Sequence, residues 1–359
     1  MLNNNFLITG GSGFIGSNFI RRIILDKTCK SVVNIDSLNY GKSLDNLKDF
    51  RNKKYFFYKG NINNNKLISK ILTNHKINII VNFAAESHVD KSIKNPNDFL
   101  NTNIKGTLSL LNSFKNLIGN KNKSNYKFIH ISTDEVYGSL NKKDLPFSEE
   151  NQYLPNSPYA ASKASSDHFV RAYLNTFNLP TIITNCSNNY GPNQYPEKLI
   201  PMTIHSCIFK KPIPIYGDGS QIRDWLHVYD HCDAIRKIIS SKIIGEKFNI
   251  GGNCEITNLN LVKNICKIMD KLKPLDNKKS YLSLIKFVSD RPGHDKRYSI
   301  NSRKISKKLN WKPVISIDKG LKQTIEWYLK NINWIKKNTN SPKFQTWVKD
   351  QYTNKLASK

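Results

Sequence analysis

Short apolar runs alternate with amphipathic stretches through the first half of the chain. The runs are typical of buried strands in a parallel sheet, and they cover residues 6–9, 32–35, 55–58, 77–83, 128–131 and 181–184. Between them, helical spacing of apolar residues occurs at 17–24, 66–72 and 98–117, and again from residue 158. Strands that alternate with helices predict an α/β fold with a doubly wound parallel sheet.

The pattern changes after residue 187. Turn-rich segments at 188–192 and 196–201 precede strand-and-loop pieces at 212–217 and 221–225. Beyond these, the spacing predicts helices over 230–241, 257–269 and 317–335, a strand at 248–250 and a shorter helix at the end of the chain. We therefore expect a first domain over residues 1–187, to which 229–255 return, and a smaller C-terminal α/β domain over 188–359.

The chain has 359 residues, of which 38% are hydrophobic, and a formal net charge of +29. Such a charge is also found in proteins that bind nucleic acids or membrane surfaces. Here the lysines are mixed with asparagines along the whole chain, as at 63–66 and 120–123. Because codons for Lys, Asn and Ile are A/T-rich, we attribute the charge to genome composition. We expect no nucleic-acid or membrane partner, although the field would attract a polyanionic substrate.

The cysteines predict neither disulfides nor a metal site. There are six, at positions 29, 186, 207, 232, 254 and 266, with no Cys-x-x-Cys pair and no zinc-ligand spacing to a histidine. This is typical of reduced thiols in a cytoplasmic protein. No apolar stretch is long enough to span a bilayer, and the first strand begins close to Met1, so we expect neither a membrane span nor a signal peptide.

Three glycines, Gly11, Gly13 and Gly16, lie between the first strand and the first helix. In this setting they match the dinucleotide-binding fingerprint, because glycine lets the turn tighten and lets backbone N–H groups approach a pyrophosphate at the helix N-terminus. Asp36 ends the second strand, where an acid accepts hydrogen bonds from ribose hydroxyls and repels a 2′-phosphate. The pattern predicts a Rossmann-like site for NAD rather than NADP.

Two adjacent acids, Asp134 and Glu135, follow the strand at 128–131. In an open α/β sheet, ligands bind at the carboxyl ends of the strands. Two carboxylates there can divide acid and base roles if their surroundings separate their pKa values. The alternative is a solvated turn, which is the commoner place for acidic residues.

Tyr159 and Lys163 lie four residues apart on a helix that begins near Pro158, so they share one face. We expect the lysine to stabilise a phenolate and to lower the pKa of the tyrosine. The tyrosine could then take a proton from a hydroxyl group while a nicotinamide takes the hydride. This spacing is common on helix surfaces, and it gains weight only from the dinucleotide fingerprint before it.

Two arginines, Arg223 and Arg291, are candidates for a diphosphate clamp, because a guanidinium group pairs with phosphate oxygens in a bidentate way. Ordinary surface ion pairing is the alternative for each. His88, in the loop after the fourth strand, is a candidate catalyst or a structural histidine. Together these residues indicate a nicotinamide enzyme that acts on a phosphorylated, hydroxyl-bearing substrate.

The chain resembles the extended short-chain dehydrogenase/reductases in residues 9–16 and in the pair Tyr159 and Lys163. Within that group it is most similar to the dTDP-glucose 4,6-dehydratases. The segments that carry this resemblance are 84–90, 132–138, 188–192, 196–201, 223–225 and 290–295. It covers nearly the whole chain, and the placement of Thr133-Asp134-Glu135 and the loop 290–295 are its most specific parts.

The resemblance implies NAD-dependent dehydration of dTDP-glucose to dTDP-4-keto-6-deoxyglucose. Tyr159, aided by Lys163 and Thr133, would take the proton of the sugar 4-hydroxyl while carbon 4 gives up a hydride to NAD. Glu135 would then remove the proton from carbon 5, and Asp134 would protonate the departing 6-hydroxyl. The hydride would return to carbon 6, and Glu135 would reprotonate carbon 5.

The resemblance also implies the binding residues and a homodimer. Those expected at NAD are Gly10, Gly11, Gly13, Phe14, Ile15, Gly16, Asp36, Ser37, Asn39, Asn61, Ile62, Phe83, Ala84, Ala85, Ser87, Thr102, Tyr159, Lys163 and Asn189. Those expected at the substrate are Ser87, Thr133, Asn188, Glu197, Lys198, Leu199, Pro214, Tyr216, Arg223, Asn258, Asp290, Arg291, His294 and Tyr298. Helices 98–117 and 159–175 would form the dimer, with the apolar residues Phe99, Leu108, Leu111, Phe169, Tyr173 and Phe177.

The sequence departs from the family pattern at three places. Asn61 stands where an aspartate is usual, and its amide oxygen can still accept a hydrogen bond. Lys91 stands where an arginine is usual, and the segment 37–42 also differs. None of these positions takes part in the expected chemistry.

Three other functions are compatible with parts of the pattern. A UDP- or GDP-sugar 4,6-dehydratase would use the same chemistry, and only the resemblance selects thymidine. A nucleotide-sugar 4-epimerase needs the tyrosine and lysine but no acid/base pair, so Asp134 and Glu135 argue against it. A basic nucleic-acid-binding or NAD-sensing regulator without catalysis would not need to retain these four side chains.

Overall fold

Among the residues that the structure describes, the first sheet has seven strands, all parallel, in the spatial order Lys247–Ile250, Thr181–Cys186, Lys127–Thr133, Ile79–Asn82, Asn4–Thr9, Cys29–Asp36 and Tyr55–Lys59. A computed structural model describes residues 4–39, 44–50, 52–276, 279–290 and 293–349. The strands of this sheet are β1 (Asn4–Thr9), β2 (Cys29–Asp36), β3 (Tyr55–Lys59), β4 (Ile79–Asn82), β5 (Lys127–Thr133), β6 (Thr181–Cys186) and β10 (Lys247–Ile250). The predicted doubly wound parallel sheet is confirmed.

Helices cover both faces of this sheet because successive strand residues point to opposite sides. On one face, α1 (Phe14–Ile23) and α8 (Val228–Ser240) pack together over a core that includes Phe6 and Ile8. On the other, the core includes Leu7 and is covered by α2 (Asn65–Asn74), α5 (Gly106–Ile118) and α6 (Pro158–Phe177). Short helices α3 (Val89–Lys94) and α4 (Pro96–Phe99) precede α5, and α10 (Arg303–Leu309) lies against β10.

A second, smaller assembly follows β6 in the chain. It has a three-stranded sheet of β7 (Asn188–Tyr190), β9 (Ile222–His227) and β11 (Glu255–Thr257), and a parallel pair of β8 (Ile213–Tyr216) and β12 (Ile285–Val288). Its own apolar core lies among α7 (Leu199–Ile208), α9 (Asn258–Leu272), α11 (Ile317–Lys330) and α12 (Ile332–Thr339). The last described helix is α13 (Pro342–Val348), whose Phe344 packs against Tyr195.

The predicted helix over 98–117 is interrupted by a wider turn. After α4, residues Leu100–Lys105 form π-helix before α5 begins. The amide group of Asn103 bonds the backbone N–H and C=O of Glu86 and the hydroxyl of Ser162 at 2.8–3.0 Å, and Ser166 donates to the Asn103 carbonyl oxygen. These tertiary bonds hold the local widening, a feature that helical spacing does not reveal.

The helix predicted over 317–335 is two helices. The chain leaves helical geometry at Asn331 (φ −115°, ψ 40°), whose side-chain amide donates to the carbonyl oxygen of Trp327. The turn-rich segment 188–192 also differs from expectation, because it contains strand β7. Within the described residues, no helix has the length and apolar character needed to cross a membrane.

Candidate functional site

A cavity of about 400 Å³ lies at the carboxyl ends of β1, β4, β5 and β6 and continues to α7, β8 and β9. All five predicted catalytic residues line it. So do eleven residues of the predicted cofactor set, namely Gly10, Gly13, Phe14, Ile15, Gly16, Phe83, Ala85, Ser87, Tyr159, Lys163 and Asn189. From the predicted substrate set it contains Ser87, Thr133, Asn188, Glu197, Lys198, Leu199, Pro214, Tyr216, Arg223, Asn258 and His294.

Other predicted residues do not line this cavity. From the cofactor set these are Gly11, Asp36, Ser37, Asn39, Asn61, Ile62, Ala84 and Thr102, and from the substrate set Asp290 and Tyr298. Arg291 lies outside the described residues. Asp290 and Tyr298 each contact a residue of the cavity wall. An Asp290 carboxylate oxygen is 2.6 Å from His294 Nδ1. The Tyr298 ring lies 4.4 Å from the Arg223 guanidinium.

In the turn between β1 and α1, a side chain at Gly10 or Gly16 would clash with the backbone. Gly10 has φ +67°, and a Cβ there would lie 2.8 Å from the backbone of Ala84. A Cβ on Gly16 would lie 2.5 Å from the carbonyl oxygen of Gly10. Within the described chain no side chain caps the N-terminus of α1, and residues 14–16 line the cavity. Uncapped N–H groups at the positive end of a helix fit an anionic phosphate group.

Asp36, at the carboxyl end of β2, is fixed beside this turn. Its side chain is buried, and its two oxygens accept hydrogen bonds from the backbone N–H groups of Ser12 (3.0 Å) and Leu38 (2.9 Å). Asn61, after β3, is exposed, and its amide oxygen accepts from the N–H of Asn63. A fixed carboxylate beside a phosphate-sized cradle fits the ribose of a dinucleotide.

The acid pair occupies the 3₁₀ turn Asp134–Tyr137 that ends β5. Thr133 caps this turn, since its hydroxyl oxygen accepts from the N–H of Glu135 at 3.3 Å. Asp134 is only 2% exposed, and the solvated-turn alternative is therefore wrong for it. Burial raises the pKa of Asp134 well above its usual value, and the charges of Glu135 and Asp224 add to the effect. The surroundings thus favour a protonated Asp134 next to a partly exposed Glu135, as acid and base roles require.

Tyr159 and Lys163 are both buried at the start of α6, which is capped by the Ser157 hydroxyl oxygen. The expected lowering of the tyrosine pKa is wrong for this structure: burial, reinforced by Glu135, raises the pKa of Tyr159 well above its usual value. The Lys163 ammonium donates a hydrogen bond to the carbonyl oxygen of Ile131 at 2.8 Å. Burial in turn lowers the pKa of Lys163 to about 8.

Arg223 is a buried residue and not part of a surface ion pair. Its guanidinium donates to the carbonyl oxygens of Ile222 (2.7 Å) and Asp295 (2.9 Å) and lies over the Tyr298 ring. Carbonyl oxygens and an aromatic face hold the group in place. A fixed guanidinium in a cavity wall can bind a phosphate group.

His88 has the contacts of a wall residue. Its Nε2 is 3.8 Å from Glu197 and its Nδ1 is 3.9 Å from Asp90, while its ring packs edge-on to Trp347 at 5.4 Å. Lys91 lies 3.5 Å from the same Glu197 oxygen. These contacts join the loop after β4 to the segment before α7, which favours the structural alternative for His88.

The sequence reasoning missed several polar residues of the wall, among them Gln194. Its amide nitrogen donates to the Asn189 carbonyl oxygen, and its amide oxygen is buried without a hydrogen-bond partner in the described structure. The amide oxygen of Asn188 and the indole nitrogen of Trp225, also in the wall, are likewise buried without a hydrogen-bond partner in the described structure. The only signal for Gln194 was its position two residues after Pro192.

The described residues contain no group of three or more His, Cys, Asp or Glu side chains that could hold a metal ion.

We predict that Asp134→Asn stabilises the fold at neutral pH. Because the folded-state pKa is raised above 3.8, the parent loses stability as pH rises from the unfolded pKa to the folded one. The amide avoids this loss, so the variant should be more stable at pH 7 by roughly 1 kcal/mol or more. The gain should shrink as pH falls toward 4. Urea unfolding across this range measures it.

The exposed Asp49 provides a matched control. Asp49→Asn should leave the unfolding free energy within about 0.5 kcal/mol of the parent at every pH. If Asp134→Asn were equally neutral, or destabilising at pH 7, the carboxyl group would not be held in an environment that disfavours its charge.

Comparison with known proteins identifies the family. A family model described as GDP-mannose 4,6 dehydratase matches residues 7–324. The dTDP-glucose 4,6-dehydratase of Shigella flexneri is 46% identical, over 96% of this chain and 98% of that protein. That of Haemophilus influenzae is 48% identical, over 91% of this chain and 98% of that protein.

Solved structures agree. The dTDP-glucose 4,6-dehydratase of Bacillus anthracis, described in complex with NAD, has a TM-score of 0.82 and 42% identity, covering 93% of this chain and 99% of that one. The Streptomyces venezuelae enzyme, with NAD bound, has a TM-score of 0.84 and 38% identity at the same coverage. A UDP-glucose 4-epimerase from Thermotoga maritima shares the fold at a TM-score of 0.80 but only 27% identity, covering 91% and 99%. The chain belongs to the dTDP-glucose 4,6-dehydratase family of the extended short-chain dehydrogenase/reductases.

Proposed function

We propose that the protein converts dTDP-glucose to dTDP-4-keto-6-deoxyglucose and water, with NAD as a cofactor that stays bound. One observation carries the proposal: buried Asp134 and its neighbour Glu135 share a cavity with Tyr159 and the glycine turn. An epimerase has no use for a protonated carboxyl group beside a carboxylate. The names of the curated relatives and the NAD in the Bacillus anthracis structure support the same activity.

The glycine turn, the N-terminus of α1 and Asp36 would hold NAD, which supplies a hydride acceptor when it is bound. In this proposal residues 1–187 and 229–255 form the cofactor domain, and 188–359 form the substrate domain. The binding sets named above keep their proposed roles, including the residues beyond the cavity wall. Arg223 would bind the substrate diphosphate, because its guanidinium is fixed in the cavity wall and this group pairs with phosphate oxygens.

Oxidation at carbon 4 requires removal of the proton from the 4-hydroxyl group. Tyr159 is the proposed base, with Thr133 within hydrogen-bonding reach of its phenol. Since burial raises the pKa of Tyr159, the phenolate needs positive charge nearby while the proton moves. Lys163, on the next turn of α6, would supply that charge.

Elimination then moves two more protons. Glu135 takes the proton from carbon 5, which the new ketone has made acidic, and Asp134 gives its proton to the departing 6-hydroxyl, which leaves as water. The raised pKa of Asp134 keeps that proton available at neutral pH. Carbon 6 would finally take back the hydride that carbon 4 gave up, and Glu135 would return its proton to carbon 5. Over the whole reaction Tyr159 gains one proton and Asp134 loses one, so the number of protons on the protein is unchanged.

Incubation with dTDP-glucose tests the proposal. We expect a product with the alkali-induced absorbance of a 4-keto sugar, slower turnover of UDP-glucose and GDP-mannose, and nicotinamide in the supernatant after the purified protein is denatured. A 4-epimerised sugar nucleotide in place of the keto product would identify an epimerase. Absence of both products, with all three substrates, would contradict the proposed activity.

The two carboxylates are distinguished by substitution. Asp134→Asn keeps shape but cannot supply a proton, so dehydration should fall about 10²–10⁴-fold, the usual contribution of general acid catalysis. The variant should still reduce its bound nicotinamide when dTDP-glucose is added, because oxidation at carbon 4 does not use Asp134. Absorbance of the reduced ring and the rate of keto-sugar formation measure the two effects.

A 6-fluoro substrate provides the control, because fluoride needs less protonation than hydroxide on leaving. It should rescue Asp134→Asn more than the matched variant Glu135→Gln. Equal rescue of both variants would mean that the acid and base roles are assigned wrongly.

We also propose a homodimer formed by the helical segments 96–118 and 158–177. Phe99 and Leu111, expected at the interface, are buried inside the protomer and cannot contribute. Apolar side chains that remain accessible on these segments are Leu100 (46% exposed), Phe169 (37%) and Phe177 (40%). A second copy of the chain would cover them.

We predict that Phe169→Glu weakens the dimer, because it would place a charge in the apolar contact. Light scattering at micromolar concentration should show a dimer for the parent and a larger monomer fraction for this variant. Leu25→Glu, at a site that is 77% exposed and lies after α1, should remain dimeric. A monomeric parent, or equal effects of the two variants, would contradict this interface.

We propose a cytoplasmic location because of the state of the cysteines. All six are free in the structure, and five of them are buried. Buried free thiols fit a reducing compartment.

A further inference from the structure

A buried carboxylate lies behind the catalytic pair. Asp167 follows Lys163 by four residues on α6, on the same helix face. Its side chain is buried, with 2% exposure, and so is Lys163, with 3%. The proposed reaction assigns no step to Asp167, and the residue does not line the cavity.

Three donors hold one carboxylate oxygen of Asp167. The hydroxyl groups of Ser132 (2.8 Å) and Tyr153 (2.9 Å) and the amide nitrogen of Asn185 (3.3 Å) all donate to Oδ2. They come from β5, the loop before α6, and β6. Burial raises the pKa of Asp167, while these three donors and the nearby Lys163 oppose that rise and favour the charged form.

The other carboxylate oxygen faces a histidine whose tautomer is fixed by three strands. Thr9, Asn82 and His130 lie in register on β1, β4 and β5. The Thr9 hydroxyl accepts from the N–H of Ala84 and donates to the Asn82 amide oxygen at 2.6 Å, so the amide nitrogen donates to His130 Nδ1 at 3.2 Å. The remaining hydrogen of the ring is then on Nε2, which lies 3.4 Å from Asp167 Oδ1.

This arrangement leaves Lys163 among neutral groups. Its Nζ is 3.3 Å from His130 Nε2, which already carries a hydrogen, and it donates to the backbone oxygen of Ile131. A buried ammonium group with neutral partners tends to lose its proton. In a low-dielectric interior a fixed carboxylate still acts at a distance beyond direct contact.

We propose that Asp167 is a positioning residue that acts through Lys163: its fixed negative charge keeps the ammonium group charged and in place beneath Tyr159. The inference rests on the proposed dehydratase function, in which Lys163 supports the tyrosine base. The inference also assigns a role to His130, whose uncharged ring contacts both Asp167 and Lys163.

The other titratable groups near the cluster of Lys163, His130 and Asp167 are neutral or lie outside it. Burial raises the pKa of Tyr137, Tyr153 and Cys186 and lowers that of His130, so none of these is charged at neutral pH. The Lys247 ammonium lies beyond the Tyr153 ring, 4.8 Å from its centre, with Glu149 near it. Tyr159 and Glu135 lie on the cavity side. Asp167 is therefore the carboxylate of the cluster that faces Lys163.

Asp167→Asn tests the inference through the pH profile of dehydration. Without the carboxylate, the pKa of Lys163 should fall below its value of about 8. The alkaline limb of kcat should therefore move to lower pH by about one unit, with about a fivefold loss of rate at pH 8. An unchanged limb would overturn the proposal even if the overall rate fell.

Two variants control for a structural effect. Tyr153→Phe removes one donor but leaves the charge of Asp167, so the alkaline limb should stay in place; a shift as large as that of Asp167→Asn would contradict the role of charge. Asp230 is a buried carboxylate elsewhere, which accepts from the N–H groups of Val314 and Ile315. Asp230→Asn should lower thermal stability without moving the limb.

A double-mutant cycle with Lys163→Met tests the same pair without activity. Asp167→Asn should lower the unfolding midpoint more in the parent than in the Lys163→Met background, where no buried ammonium is left without its counter-charge. Equal effects in both backgrounds would overturn the proposal. A parent that never produces the keto sugar would count against the dehydratase function, while this cycle would still decide the inference.

Discussion

The parallel pairing of β5 with β4 and β6 is the constraint on which the site depends. It sets the carboxyl ends of the three strands side by side, and the active residues follow from that edge. Thr133 ends β5 and caps the turn that holds Asp134, while the backbone oxygen of Ile131 holds Lys163. A slip of one residue in this register would turn each of these side chains to the other face of the sheet.

Burial is the main source of reactivity in this cavity. It keeps a proton on Asp134 and lowers the pKa of Lys163, and both effects work against the stability of the fold. The protein tolerates them because large apolar cores on both faces of the sheet, and a third in the smaller assembly, stabilise the remainder of the chain. Such opposition between stability and activity is common at active sites.

In the proposed function the smaller assembly selects the substrate. Its strands and helices place Arg223, Asn188 and Lys198 in the wall of the cavity that also contains the acid pair. The fold is shared with 4-epimerases, so the sheet and the tyrosine–lysine pair do not by themselves separate the two reactions. In the proposed mechanism the separation depends on Asp134, whose burial favours its protonated form.

The sequence alone determined the parallel sheet, the glycine turn and the acid pair, because each depends on local spacing: apolar runs, glycines before a helix, and charges at a strand end. The tertiary structure decided the features that depend on contacts between distant segments, which residue spacing does not predict. It raised the pKa of Tyr159 where the helix pattern predicted a lowering, because the side chain is buried and lies near Glu135. It also widened the helix at Leu100–Lys105, ended another at Asn331, and brought Gln194 and Asp167 to the site through contacts between distant segments.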